Sequence, residues 1–162
     1  MHMLQRSAWA VGVIVLGLSA TWAADDKSEE EAKKEMGRLA GVWAPVSVET
    51  GGKKADDTDN VVKELRYVFT KDGKFRLEKA GEVQLEGTYK VDPSKKPRQV
   101  DYKIEKSTSD TWKDKTSLGI YELDGDTLRV CRTWPDNDTR PTEFSGAKDT
   151  KQIFSEFKRE KK

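Results

Sequence analysis

The chain has 162 residues, the length of a single domain, and 36% of them are charged. Lys and Arg number 30 against 29 Asp and Glu, so no net field draws the chain to nucleic acid or to an acidic surface. One cysteine, Cys131, excludes an internal disulfide, and the one histidine is His2.

The chain opens with a short segment bearing Arg6. An apolar run from Ser7 to Ala20 follows, and Thr-Trp-Ala at 21–23 has a small-x-small pattern. Residues 1–23 read as a secretory signal peptide, which places the mature protein in the periplasm or outside the cell. The rival reading is a retained anchor, for which Ser7 to Ala23 is short. No cysteine follows the apolar run, so a lipoprotein signal is excluded. Cleavage after Ala23 removes Arg6 and leaves 29 basic residues against 29 acidic ones. It also removes His2. A mature chain without histidine cannot build a Ser-His-Asp triad, a Cys-His pair, an HExxH zinc site or a proximal haem ligand. The expectation is therefore a non-enzymatic domain with no cofactor and no metal. Cys131, with no histidine to activate it, is expected to be buried and inert or to pair between molecules.

Residues 24–38 are charged and contain no β-branched residue. Ser28 followed by Glu31 fits a capping box, which predicts a helix from about Ser28 to Arg38, ended by Gly37. Met36, Leu39 and Ala40 are placed to tuck against the domain. From Val42 onward the period changes to two. "ELRYVFT" sets Leu65, Tyr67 and Phe69 on one face, and "KFRLEK" does so for Phe75 and Leu77. "EVQLEGTYKV" sets Val83, Leu85, Tyr89 and Val91 together, and "QVDYKIE" sets Val100, Tyr102 and Ile104. "TLRVCRTW" groups Leu128, Val130 and Trp134, and "QIFSEFKR" groups Ile153 with Phe157 while Phe154 faces away. With "GVWAPVSVE" first and "TSLGIYEL" sixth, about eight strands emerge, which predicts an antiparallel sandwich or barrel. The first strand breaks alternation, and a bulge near Pro45 restores it.

"KDGK" suits a three-residue loop with Gly73 left-handed, pairing Phe69 with Phe75 and Tyr67 with Leu77. "KAGE" is a second tight reversal, and "DPSKKP" is a stiff surface loop. "LDGD" allows two registers. A two-residue turn puts Tyr121 and Leu123 on the face of Leu128 and Val130. A three-residue loop puts Leu118 and Ile120 there and sends Tyr121 outward, and analogy with "KDGK" favours it. In both registers Arg132 shares a face with Val130 and Trp134. "PDNDTRP", 135–141, is the longest break.

"GVW" after a short helix resembles the G-x-W start of lipocalin-type barrels. The ordered set "GTYKVDPSKKP", "LGIYELDGDTLRVC" and "RPTEF", with a final strand closing on a basic residue, resembles one group in particular. This is the planctomycetal lipocalin-like family of small exported domains with no assigned activity. The likeness covers 39–159, leaving 24–38 as a helical lead-in and 160–162 as a basic tail. It implies an all-β up-and-down antiparallel barrel or half-barrel preceded by a short helix, and it assigns Trp43 and Arg159 to the closed end. A barrel of eight strands has room for packed side chains or one small ligand.

The inward aromatics Tyr67, Phe69, Phe75, Tyr89, Tyr102 and Trp134, with Arg132, are the candidate lining of a site for a small apolar or amphipathic molecule. The same aromatics equally suit ordinary core. Arg132, facing inward, needs an acid, an anionic ligand or an outlet to water. Glu122 is the nearest acid, with Glu143 across the following loop. Arg140 and Glu143 are expected to pair and lock that loop to the barrel. Asp56 to Asn60 and Asp136 to Asp138 lack the glycine and terminal glutamate of a calcium loop. Asn137 heads a formal glycosylation sequon. The two functional readings are a carrier and a structural or protein-interaction module of the cell envelope with a filled barrel.

Overall fold

The computed structural model describes residues 20–135 and 137–161, with side chains from residue 25. Helix α1 (Ala20–Leu39) leads into β1 (Gly41–Thr50), β2 (Lys53–Asp56), helix α2 (Asn60–Glu64) and β3 (Leu65–Phe69). Six more strands follow: β4 (Lys74–Lys79), β5 (Glu82–Asp92), β6 (Arg98–Ser107), β7 (Thr116–Asp124), β8 (Thr127–Thr133) and β9 (Gln152–Arg159). From β3 to β9 each strand pairs antiparallel with its successor, β1 pairs with β3, and β9 returns to β1. Eight strands thus close an up-and-down barrel with few free edges. The ninth, β2, is a short hairpin on the far half of β1 and was not foreseen from its polar sequence, Lys53 to Asp56. Nor was α2, whose start is capped by the Asp59 side chain accepting from the Val61 N–H.

Helix α1 is longer than the capping box suggested. Ser28 lies inside it, and it runs through Gly37 to Leu39. The last turn persists because it is seated on the barrel. Leu39 is buried, Met36 and Ala32 pack on the core, and the Ala40 N–H donates to the Met36 carbonyl. Tertiary contact outweighs the cost of one glycine, about 1 kcal/mol. Of the expected leader, residues 1–19 lie outside the described residues.

The β3–β4 loop is Lys71-Asp72-Gly73 with Gly73 at φ 81, and it gives the expected Phe69–Phe75 and Tyr67–Leu77 pairs. The bulge in β1 falls between Pro45 and Ser47 as expected. Two expectations are corrected. The β7–β8 turn has two residues, Gly125 and Asp126, so Leu123 faces Leu128 and Tyr121 faces Val130. Tyr121 is therefore core, not surface. Alternation could not decide this register because the middle of β7 is covered on both faces. Ile120, on the outer face, is buried as deeply as Tyr121 beside Cys131, whose thiol meets the Ser145 carbonyl of the loop laid over it. The second correction is Val83. A bulge opposite Leu77/Glu78 turns it outward, and it is exposed.

Inside the barrel Tyr67 packs on Phe157, Phe69 on Tyr89 and Phe75 on Tyr102, each edge to face at about 5 Å between centroids. Leu128, Val130, Ile104, Val100 and Val91 fill the remainder. Gly87 is required where β6 bulges against β5, since a Cβ there would lie 2.0 Å from the Lys103 carbonyl oxygen.

Candidate functional site

The two ends of the barrel are built differently. At one end β1 starts, β9 finishes and α1 lies across the opening. Trp43 is fully buried there and donates its indole N–H to the Leu39 carbonyl at 2.8 Å. The Arg159 guanidinium stacks on its ring, 4.2 Å from the centroid. Arg159 also donates to the Ala40 and Arg38 carbonyls at 2.6 Å each, and Nε lies 3.3 Å from Asp126. These are the carbonyls a helix leaves without partners at its C-terminus. Gly41 explains the glycine of the G-x-W pattern. It adopts φ 141, and a Cβ would stand 2.8 Å from the Arg159 Nη1. Trp43 and Arg159 thus sit across each other at this end.

Glu35 completes the closed end and had no signal in the sequence beyond being one of several helix acids. It is only 5% exposed. Its carboxylate receives Arg38 at 2.8 Å, Arg98 of β6 at 2.9 Å and the Tyr121 hydroxyl at 3.3 Å. Burial, then the Glu35 charge, pushes the Tyr121 phenol above its usual range.

The other end is a mouth. Arg132 projects from the inward face of β8 close to it. Its guanidinium lies over Trp112, 4.7 Å from the ring centroid, and Trp112 packs both on the core and on Trp134, 5.7 Å away. Trp134 is 37% exposed, with its indole N–H 3.4 Å from the Thr50 hydroxyl. Trp134 therefore stands at the rim and not among the interior aromatics. Trp112, in the loop 108–115, was missed because nothing in "STSDTWKDK" separates it from a surface residue. Beneath Arg132 lies an internal cavity of about 10 Å³ bounded by Tyr67, Phe69, Tyr102, Val130, Ile153, Ser155 and Phe157. One water fills such a space. Burial raises the phenols of Tyr102 and Tyr89, so both stay neutral at any physiological pH.

Neither acid assigned to Arg132 reaches it. Glu122 points outward and pairs with Arg129 at 3.0 Å, and Glu143 is exposed. Arg140 does fasten the long loop, through other partners than Glu143. It meets Asp101 at 2.6 Å and donates to the Gly119 carbonyl at 2.8 Å. The same loop covers Cys131, whose thiol is pushed up by burial. Described residues of the two acidic runs form turns, and Asp136 lies outside the described residues. Asp56 accepts from the Thr58 N–H and Asp59 caps α2, while Asn137 turns onto Thr139. Among the described residues no three His, Cys, Asp or Glu side chains gather to hold a metal ion, and no helix is long and apolar enough to cross a membrane. Phe75, Tyr89 and Phe69 are core residues, the Tyr89 hydroxyl being held by the Thr70 carbonyl at 2.9 Å. Comparison with family models, curated proteins and solved structures gave no match.

Proposed function

We propose that this chain is an exported, non-enzymatic lipocalin-like domain of the cell envelope that binds other proteins at its rim, on a barrel filled by its own side chains. One observation carries the reading. The interior cavity measures about 10 Å³, whereas a site that encloses a small molecule takes about 300 Å³ or more. The aromatic lining therefore acts as core. The larger hollows are open depressions outside it. One, of about 370 Å³, is lined mainly by outward-facing residues such as Lys74, Arg76, Glu86 and Lys106.

A carrier of a small hydrophobic molecule is the alternative, favoured by the inward course of Arg132. Native mass spectrometry of the chain from Ala24, purified gently from its source, separates the two. The filled scaffold gives the bare polypeptide mass. A stoichiometric small-molecule adduct lost on denaturation would replace it with the carrier.

A further inference from the structure

Nine arginines occur in the chain, and all but Arg6 are among the described residues. Seven of these eight form an ion pair: Arg38 and Arg98 with Glu35, Arg66 with Glu160, Arg76 with Glu78, Arg129 with Glu122 and Glu156, Arg140 with Asp101, and Arg159 with Asp126. Arg132 is the exception. Among the described residues its guanidinium faces an indole ring and no carboxylate. A cation half-withdrawn from water against tyrosines and apolar side chains is electrostatically incomplete.

The surroundings point outward. Among the described residues the exposed large apolar side chains are Val61, Val83 and Trp134, and all three belong to segments at the mouth end. Val61 is on α2, whose Glu64 carbonyl accepts from Ala80 in the β4–β5 turn. Val83 follows that turn, and Trp134 comes directly after β8. Beside Trp134 a cleft of about 280 Å³ opens between Thr50, Gly51 and Asp149. Arginine and tryptophan are among the residue types that carry most interface energy, and here Arg132, Trp112 and Trp134 stand in contact at the rim. A single half-exposed guanidinium holds a free carboxylate weakly, so useful affinity needs the neighbouring apolar contacts.

We propose that the mouth is a protein-docking site in which Arg132 receives the carboxylate of an acidic side chain, with Trp112 and Trp134 as the wall against which that side chain's stem packs. The occupant is a segment of a protein partner carrying one Asp or Glu between apolar residues. This rests on the rim-binding reading above, and the two fail separately. A bound small molecule in native mass spectrometry would sink the scaffold, while the experiment below reports on Arg132 alone.

The test titrates the isotope-labelled protein with a terminally blocked peptide, Gly-Leu-Glu-Leu-Gly, and follows the indole N–H signals of Trp112 and Trp134. Saturable shifts are expected. Replacing the peptide glutamate by glutamine should weaken binding about two- to fivefold, the worth of a partly exposed ion pair. Arg132→Gln should cause the same loss, and Arg132→Lys a smaller one. Should Arg132→Gln fail to fold, Arg132→Lys and Trp134→Ala supply the comparison. Absence of shifts, equal binding of the glutamine peptide, or full binding by Arg132→Gln would each overturn the proposal. So would butyrate binding as tightly as the peptide, which would assign the site to free carboxylic acids.

Discussion

Replacing Arg159 tests whether the closed end is held as its geometry implies. The side chain makes two charge-assisted hydrogen bonds to helix-terminal carbonyls, at 2.6 Å each, and one stacking contact with Trp43 at 4.2 Å. A hydrogen bond from a charged group is worth about 1.5–3 kcal/mol, and a partly desolvated cation–π contact about 1–2 kcal/mol. The side chain is 23% exposed, so water replaces part of what is lost, and the Asp126 contact at 3.3 Å adds little. Arg159→Ala is therefore expected to cost about 3–4 kcal/mol, a large share of the roughly 5–15 kcal/mol typical of a domain. For a chain of this size that is a fall in Tm of about 6–16 °C. Arg159→Lys keeps the charge but loses the planar fork, and should recover about half of the loss. Urea unfolding followed by tryptophan emission gives both values from the midpoint at constant m. A loss under about 1 kcal/mol for the alanine variant would refute the argument that Arg159 satisfies the end of α1.

Gly41→Ala should destabilise the wild type by about 2 kcal/mol or more, through its φ of 141 and the 2.8 Å approach of the Arg159 Nη1. In an Arg159→Ala background the steric part should vanish, and a double-mutant cycle would show strong coupling where independent sites add. Glu35→Gln leaves Arg98 and Arg38 without their shared carboxylate. Both arginines reach solvent, so about 1–3 kcal/mol is expected, with hydrogen exchange faster in α1 and unchanged in β3 to β5. Buried Tyr89, Tyr102 and Tyr121 have phenols raised above their usual value in the fold. The unfolded chain then releases their protons first, so stability is complete below about pH 10 and falls as pH rises beyond it. Absorbance of tyrosinate against pH should show these three ionising together with unfolding, and smooth ionisation in the folded state would contradict their burial.

The period-two pattern from Val42, the tight turns and the short connections were enough for an antiparallel sandwich or barrel, because strand faces and hairpin loops are local properties, and the resemblance favoured the barrel. Gly41, Trp43 and Arg159 were legible only through a resemblance, since residues 118 positions apart in the chain meet solely when β9 closes on β1. Tertiary structure alone decided the rest. Ile120 on the outer face of β7 is buried as well as Tyr121 on the inner face, so the register followed from packing and not from alternation. Acids are interchangeable along a helix until the fold brings two arginines to one of them, which singles out Glu35. The width of the interior depends on how the large rings interlock across the barrel, and composition does not set that. Arg132 stood out in the sequence as a charge on an apolar face. Its seat on Trp112, without a carboxylate, exists only because the loop 108–115 folds back over the mouth, a contact between segments that no local pattern encodes.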